Sequence, residues 1–333
     1  MKAHGPAFSL QPNLLAQFPP SHRHLIGLSG GRDSVALLHL LVALGYQKLV
    51  VCHLDHQLRG RSARADAQCV ATIAAAANLD CEIAVTNVRD IARQTKVSIE
   101  TAGRVARFAF FVSVARRRRC RTIFLAHHAD DLVETALLNL FRGASPGGIA
   151  AMRSVSTHRV GRTDLTIVRP LLHVWRREID RYIQEHDLRF REDATNAQLG
   201  ATRNRIRHRI LPYIEKEFRR DVRRAIWRTA EIWAAEDGIL ESLTSAQSLE
   251  AQLELDSLRK LPVALQRRTI HKWLQLHRTK DISFDLVEST RALLEKNAVS
   301  RINLPGDRYV RRRSGKLFIE KASPKRNTKR NPS

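Results

Sequence analysis

A glycine-rich loop between a strand-like run and a helix-like run constrains the fold of this chain more than any other sequence feature. His24–Leu28 is short and apolar, residues 29–34 read Ser-Gly-Gly-Arg-Asp-Ser, and Val35–Leu44 has helical spacing. Glycines let successive backbone N–H groups turn toward one point, and a helix beginning at the loop adds its positive dipole end. The loop therefore predicts a phosphate-binding site at the end of a strand.

One acidic residue in the loop predicts a metal ion beside the phosphates. The loop lacks the lysine of a Walker A sequence and carries Asp33. A carboxylate is repelled by phosphates unless a cation lies between them, which predicts Mg²⁺. Ser29 and Ser34 can donate hydroxyl hydrogen bonds to the same group. The alternative is an ordinary strand–helix turn capped by Asp33 or Ser34.

Strand-like and helical segments alternate through the first two hundred residues. The five strand-like runs are His24–Leu28, Lys48–Leu54, Cys81–Val88, Thr122–His127 and Val168–Leu172. This alternation predicts an α/β fold with a parallel five-stranded sheet and helices on both faces. In such sheets the ligand lies beyond the carboxyl ends of the strands.

The pattern changes near Arg203. From Asn204 to about Leu294 the periodicity is helical, and a strand-like piece follows at Arg301–Glu320. We predict an N-terminal extension at 1–20, a nucleotide-binding domain at 21–215, a smaller and mainly helical domain at 216–320, and a disordered basic tail at 321–333.

Charge and cysteine content limit the classes of partner. The chain has 57 Lys and Arg against 33 Asp and Glu, a net charge of +24. That balance favours a polyanion partner, although a solubility surface is the alternative. Aromatic residues make up 6% of the chain, so base stacking cannot be the main binding mode. Four scattered cysteines without a CxxC pair argue against a disulfide framework or a cysteine-held metal.

No targeting or membrane-spanning segment is recognisable in the sequence. The longest apolar stretch, Val35–Leu44, contains a histidine and is far shorter than the ~20 residues of a spanning helix. We therefore expect a cytoplasmic protein with no membrane partner.

The string His127–Thr135 places several acidic residues at the start of a predicted helix. Asp131 and Glu134 are three residues apart and Asp130 and Glu134 four apart, so one helix face presents two carboxylates. Such a pair can bind an amine or hold Mg²⁺, and the alternative is helix capping by the two aspartates. The adjacent histidines, His127 and His128, favour packing or phosphate contact over a zinc site.

Five motifs, in order, resemble those of the tRNA(Ile)-lysidine synthases, a family of PP-loop ATP pyrophosphatases. Beside the loop, the matching residues are Leu54–Arg59 with Ser62; Glu100, Arg104, Arg107 and Phe108; His127–Thr135 with Leu138, Arg142 and Gly143; Arg169–Leu172; and Glu192, Asp193, Asn196 with Arg203–Arg207. The resemblance covers residues 21–215 and extends weakly to the turn near Leu304. Gln57 and Leu132 depart mildly from the family pattern. The chain resembles a short form without the extra C-terminal domain.

The resemblance implies an activity. A member of this family uses ATP to adenylate the C2 oxygen of the wobble cytidine in the CAU-anticodon isoleucine tRNA. L-lysine then replaces AMP, which gives lysidine. The implied cofactors are ATP and Mg²⁺, the partners are tRNA(Ile) and L-lysine, the domain at 216–320 binds tRNA, and a homodimer is possible.

The resemblance also implies roles for individual residues. The catalytic residues would be Asp33, Asp130, Asp131, Glu134 and Arg205, with Asp33 and Asp130 on the metal. The nucleotide would be bound by Leu28, Ser29, Gly30, Gly31, Arg32, Asp33, Ser34, His53 and Leu54. The other substrates would be bound by Arg104, Arg107, His127, Asp131, Glu134, Arg203 and Arg207.

Two other functions remain open from the sequence. A PP-loop tRNA sulfurtransferase would need reactive cysteines or a cluster, and the four cysteines lie singly in apolar or helical context. A catalytically silent RNA-binding protein would not need the acidic residues at positions 33, 130, 131 and 134.

Overall fold

The computed structural model describes residues 10–58, 61–150, 152–191, 202–245, 251–295 and 299–321. The chain divides into two compact units, Met1–Ala234 and Ala235–Ser333. The domain boundary expected at residue 215 stays a prediction. The predicted disordered tail lies outside the described residues, apart from Lys321.

The first unit alternates strands and helices. Its elements are α1 (Pro12–Ala16), β1 (His24–Gly27), α2 (Arg32–Ala43), β2 (Leu49–Asp55), α3 (Arg61–Ala76), β3 (Asp80–Val85), α4 (Val88–Thr95), α5 (Ile99–Arg117), β4 (Thr122–Phe124), α6 (Ala129–Leu140), α7 (Pro146–Ile149), β5 (Val155–Val160), β6 (Thr163–Val168), α8 (Arg176–Glu185), α9 (Thr202–Arg205), a π-helical segment (Ile206–Ile210), α10 (Leu211–Phe218) and the first half of α11 (Val222–Ser245).

One six-stranded sheet organises this unit, in the order β3-β2-β1-β4-β6-β5. Every neighbouring pair is parallel except β5 and β6. The predicted α/β class with five parallel strands is confirmed, and an antiparallel edge strand, β5, makes the sheet six-stranded. The chain moves to one side of β1 after α2 and to the other side at β4, so β1 and β4 flank a topological switch point.

The fifth predicted strand is also displaced. Val168–Leu172 was expected to be the strand, whereas β6 ends at Val168 and turn hydrogen bonds follow, from Leu172 N to Arg169 O and from Val174 N to Leu171 O. Pro170 has no N–H for a strand ladder and fixes its own φ, which ends the strand there.

Buried side chains on both faces of the sheet explain why helices cover both. In β1, Leu25 and Ile26 point to opposite faces and join two different core clusters. One cluster packs α2 and α8 onto the sheet, and the other packs α5 onto it, through residues such as Phe111. The sheet is thereby held as a buried platform for the residues at its strand ends.

The second unit has its own core. It contains the rest of α11, β7 (Leu253–Glu254), α12 (Leu255–Arg259), α13 (Val263–Leu276), α14 (Phe284–Ala292), β8 (Arg301–Leu304), β9 (Arg308–Arg313) and β10 (Lys316–Lys321). Trp273 is fully buried at the centre of this core. The strands form an antiparallel sheet in the order β7-β10-β9-β8, so the domain carries more sheet than its mainly helical pattern predicts.

Among the described residues, no helix combines the length and the apolarity that crossing a membrane requires.

Candidate active site

A cavity of about 1130 Å³ lies at the carboxyl ends of the central strands of the first unit. Leu28 follows β1, His53 and Leu54 close β2, and His127 follows β4 along its wall. Because β1 and β4 flank the switch point of the sheet, this is where an α/β fold binds its ligand. The volume is sufficient for a nucleotide together with a second substrate.

The glycine loop forms one end of the cavity and is held by its own hydroxyl groups. The Ser29 N–H donates to Ser34 Oγ (3.2 Å), and the Gly31 N–H donates to Ser29 Oγ (3.2 Å). Ser34 Oγ donates in turn to Gly31 O at 2.8 Å. Gly30 has φ +82°, which an L-residue rarely adopts, so glycine is required at this turn.

The helix after the loop begins without a side-chain cap. Gly31 is the N-cap of α2, and no side chain accepts a hydrogen bond there. Neither Asp33 nor Ser34 caps the helix, which argues against an ordinary capped turn. The first-turn N–H groups are therefore available to an anion in the cavity, as at other phosphate-binding helix N-termini.

A segment after α8 fastens the loop from the other side. The Arg191 N–H donates to Gly30 O (2.9 Å), and Arg191 Nε lies 2.5 Å from Asp66 Oδ1 of α3. Arg32 pairs with Asp180 at 2.5 Å and its guanidinium lies 5.0 Å from the Phe190 ring centre. These four contacts hold the loop between α3, α8 and the segment at residues 190–191.

The carboxylate of Asp33 has an oxygen suited to a cation. Asp33 lines the cavity, and its Oδ1 is buried without a hydrogen-bond partner among the described residues. A carboxylate oxygen in this state fits a hard cation such as Mg²⁺, which is usually held by one or two carboxylates plus substrate phosphates. In the described part of the chain, no group of three or more His, Cys, Asp or Glu side chains could hold a metal alone.

Three aspartates surround one buried imidazole. Nε2 of His128 lies 3.8 Å from Asp33 Oδ2 and 3.6 Å from Asp131 Oδ2, and Nδ1 lies 3.7 Å from Asp130 Oδ2. The structure thus brings the loop aspartate and the α6 aspartates to one place.

Both α6 aspartates also stabilise helix starts, Asp131 that of its own helix, as the capping interpretation predicts, and Asp130 that of another helix. Asp131 Oδ2 accepts from the His128 N–H (3.1 Å) at the start of α6. Asp130 Oδ2 accepts from the Arg176 N–H (3.0 Å) at the start of α8, and Asp130 Oδ1 accepts from Arg223 Nη1 (3.3 Å). Capping and site chemistry are therefore combined in the same carboxylates.

Glu134 is buried and bound by an arginine. Arg207 Nε donates to Glu134 Oε1 (2.5 Å) and Arg207 Nη2 to Glu134 Oε2 (3.1 Å), a bidentate contact. Burial raises the pKa of Glu134, and the hydrogen bonds from Arg207 oppose that rise. Arg207 Nη2 also lies 3.5 Å from Asp131 Oδ1. The arginine thus joins Glu134 to the aspartate cluster and lines the cavity.

His127 lines the cavity as a neutral group. Burial holds the pKa of His127 well below its usual value, and the nearby arginines Arg169, Arg107 and Arg203 lower it further against the opposing effect of Asp131. An imidazole in this setting packs and accepts or donates a hydrogen bond without carrying charge at neutral pH.

The remaining predicted arginines occupy different positions. Arg107 lines the cavity, whereas the guanidinium of the exposed Arg104 lies 5.1 Å from the Phe108 ring centre. Arg203 reaches Thr135 Oγ1 at 3.4 Å. Arg205 is exposed and donates to Thr202 Oγ1 (3.1 Å), outside the cavity lining. Arg207 thus lines the cavity beside Glu134, whereas Arg205, expected to be catalytic, does not line it.

Sequence reasoning missed several lining residues. These are Asp66, Phe190, Arg191 and Arg223, together with His56 and His208. His56 lies in the run Leu54–Arg59 that resembles the family, whereas the others come from scattered segments without a common spacing.

The cysteines are those of a protein interior. All four are free, and Cys52 and Cys120 are buried. Burial raises the pKa of the Cys52 thiol, which lines the cavity, far above its ordinary value. A thiol in this state is a poor nucleophile and a poor metal ligand.

Two family models match the chain. A PP-loop domain matches residues 8–214, more than half of the chain. A TilS substrate binding domain matches residues 253–318, within the second unit.

Curated tRNA(Ile)-lysidine synthases are similar over most of the chain. The one from Geobacter sulfurreducens is 37% identical over 309 residues, 89% of this chain and 64% of that protein. The one from Solibacter usitatus is 38% identical, over 78% of this chain and 58% of that protein. The one from Thermosynechococcus vestitus is 35% identical, over 88% of this chain and 85% of that protein. The chain thus spans less than two thirds of the first two relatives.

A solved structure supports the fold. The U34-tRNA thiolase NcsA from Methanococcus maripaludis superposes with a TM-score of 0.52 and 17% identity, over 68% of this chain and 75% of that chain. At that identity the likeness concerns the α/β fold alone.

Proposed function

We propose, from the premise that the chain belongs to the PP-loop family of tRNA(Ile)-lysidine synthases, that it ligates L-lysine to C2 of the wobble cytidine of the CAU-anticodon isoleucine tRNA. One observation carries the proposal. The uncapped start of α2 and the aspartates Asp33 and Asp130 border the same cavity, and Asp131 adjoins them through His128. An anion site beside carboxylates suits a reaction between ATP and an amine.

The first proposed step is adenylation of the base. The C2 oxygen of the cytidine attacks the α-phosphorus of ATP, the bond from that phosphorus to the bridging oxygen breaks, and pyrophosphate leaves. The glycine loop and the first turn of α2 bind the phosphates. Arg207 adds positive charge near the developing negative charge. When bound, Mg²⁺ neutralises phosphate charge, and Asp33 and Asp130 are the residues that would hold it.

The second proposed step forms the C–N bond. The lysine amine attacks C2, the C2–O bond breaks, and AMP leaves with that oxygen while the amine loses a proton. Asp131 is the carboxylate proposed for the ammonium and α-amino groups, since Arg207 already occupies both oxygens of Glu134 and Asp130 would hold Mg²⁺. Glu134 would then act through Arg207.

The net charge of the chain fits a polyanionic partner. A net charge of +24 favours RNA phosphates, and arginines of the cavity such as Arg107, Arg207 and Arg223 offer contacts next to the target base. The TilS substrate binding domain at 253–318 supports tRNA as the partner of the second unit.

The test is lysine incorporation by the full chain. We expect radiolabelled lysine to enter the CAU-anticodon tRNA(Ile) only when ATP and Mg²⁺ are present, with one AMP and one pyrophosphate released per lysine. The matched control is the same tRNA with uridine at the wobble position. Absence of incorporation into the cytidine tRNA, or equal incorporation into both, would contradict the proposal.

The sulfurtransferase alternative gains no support from the site. The only cysteine lining the cavity, among the described residues, is the buried Cys52. We expect a variant with all four cysteines replaced by serine or alanine to retain lysine incorporation.

A further inference from the structure

A second cavity of about 590 Å³ lies in the first unit, between the end of α10 and the start of α11. We call it the basic pocket. Its apolar side is formed by Ile214 and Phe218, and its basic side by Arg220, Arg224 and Arg228. This volume is sufficient for a nucleotide, and neither of the two proposed chemical steps uses a residue of the pocket.

The apolar side presents an aromatic ring to solvent. Phe218 is 68% exposed, although a phenylalanine side chain is ordinarily buried. Ile214 is half-buried beneath the pocket. A flat exposed ring beside a cavity is the arrangement on which a nucleobase stacks, because every base has a π face.

The basic side of the pocket carries more positive charge than its neighbours neutralise. Among the described residues, Arg220 and Arg228 make no side-chain hydrogen bond or ion pair. Arg224 lies 3.3 Å from Asp221 Oδ2, while Asp221 Oδ1 caps α11 by accepting from the Arg224 N–H (3.0 Å). The one carboxylate of the pocket is therefore engaged, and three guanidinium groups outweigh it.

Two consecutive arginines of α11 line the two different cavities. Arg223 lines the active-site cavity and contacts Asp130 and Glu215, whereas Arg224 lines the basic pocket. Because an α-helix turns by about 100° per residue, the two cavities lie on adjoining faces of α11.

We propose that the basic pocket binds an unpaired nucleotide of the tRNA anticodon loop other than the one that is modified. Its base stacks on Phe218, and its flanking phosphates contact Arg220, Arg224 and Arg228. The proposal rests on the proposed function for the identity of the RNA. An apolar peptide would leave the three guanidinium groups without a counter-charge, which favours RNA.

The first test measures binding of an anticodon stem–loop RNA to the full chain, without ATP or lysine. We expect Phe218→Ala to weaken binding about tenfold, since stacking of one base contributes ~1–3 kcal/mol. Phe218→Tyr should bind like the wild type. The matched control is Phe141→Ala, because Phe141 is 61% exposed and lies outside both cavities.

The second test measures the salt dependence of the same binding. Arg224→Ala/Arg228→Ala should lower the slope of log K against log salt by about 1.4, as expected for two single-strand phosphates. The matched control is Arg89→Ala/Arg93→Ala, also an exposed i,i+4 pair, in which Arg93 contacts an aspartate three residues before it. With full tRNA, the KM of the double variant should rise more than its kcat falls.

Four results would overturn the inference. The first is unchanged stem–loop binding by both pocket variants, and the second is an equal loss in the control variants. The third is an equal effect on a duplex RNA that has no loop. The fourth is a wild-type dimer that Phe218→Ala dissociates without loss of RNA binding. A wild-type chain that binds the stem–loop but incorporates no lysine would contradict the proposed function and leave the pocket intact.

Discussion

The guanidinium of Arg207 neutralises the carboxylate of Glu134, which is almost completely buried. Glu134 is 1% exposed, and both its oxygens accept from Arg207. A buried ion pair contributes little by comparison with an apolar pair, but removing one partner leaves a charge without compensation. The pair therefore gives a sharp test of how the site is held together.

We expect Glu134→Ala to lower the free energy of unfolding by about 3 kcal/mol, because the half-buried Arg207 would lose its bidentate partner and keep only the more distant Asp131 and Asp33. Urea unfolding at pH 7 measures this change. In the double variant Glu134→Ala/Arg207→Ala, much of the loss should be recovered. A double variant whose loss equals the sum of two large single losses would contradict the coupling.

We expect Asp33→Asn to reduce AMP and pyrophosphate release at least 100-fold while leaving the melting temperature unchanged. The substitution keeps the side-chain shape but removes the charge of a buried oxygen that no described group satisfies. Initial rates with saturating tRNA test this. The matched control is Asp164→Asn, which removes an exposed aspartate of β6 outside the cavity lining, and an equal fall in both variants would refute the role of Asp33.

The sequence predicted the residues at strand ends better than those brought in from elsewhere. The loop at Leu28–Ser34 and the aspartates of α6 follow strands, and parallel strands bring their carboxyl ends together. The alternating arginines at 203, 205 and 207 follow no strand, so their spacing does not predict which of them enters the site. The sequence therefore predicts Arg205 as catalytic and does not predict the contact of Arg207 with Glu134. The π-helical segment at Ile206–Ile210 changes which side chains share a face, and this change is not visible in the spacing.

At the scale of elements, the missed strand β5 has a simple cause. β5 and β6 form a hairpin around Gly161, which has φ +61°, and the exposed side of β5 carries polar residues. A half-exposed antiparallel edge strand has a weak apolar pattern, whereas buried parallel strands are nearly continuous apolar runs. The fold class was therefore predictable, while the edge of the sheet was not.

The second half of α11, which lines neither cavity, offers a test of element stability. We expect Gly238→Ala to raise the free energy of unfolding by about 0.5–1 kcal/mol, because alanine costs less backbone entropy in a helix and its Cβ would meet no atom within 4 Å. The change is read from urea denaturation. Gly45→Ala, where φ is +86°, should act in the opposite direction, and the same sign in both variants would contradict this account.

At the scale of the whole molecule, buried histidines make stability depend on pH. Burial lowers the pKa values of His24, His39, His127, His158 and His271 below 6.5. Below pH 6.5 the unfolded chain takes up protons that the folded chain does not, so stability falls as pH falls. Burial raises the pKa of Glu134, which acts in the opposite direction, but it is one group against five.

We therefore expect the melting temperature to fall between pH 7.5 and pH 5.5. Each such histidine contributes at most about 1.4 kcal/mol per pH unit. Thermal unfolding across this range measures the slope, and His271→Gln should flatten it. A melting temperature that does not change, or that rises on acidification, would contradict the buried neutral state of these side chains.

The shared carboxylate of Asp131 has a consequence for how the site can evolve. The same side chain closes the first turn of α6, adjoins His128 and contacts Arg207. A substitution of Asp131 is expected to disturb both the start of α6 and the chemistry of the site. We therefore expect no substitution at this position to be neutral. Selection for a properly started helix alone would preserve the acid, even in a descendant that had lost its substrate.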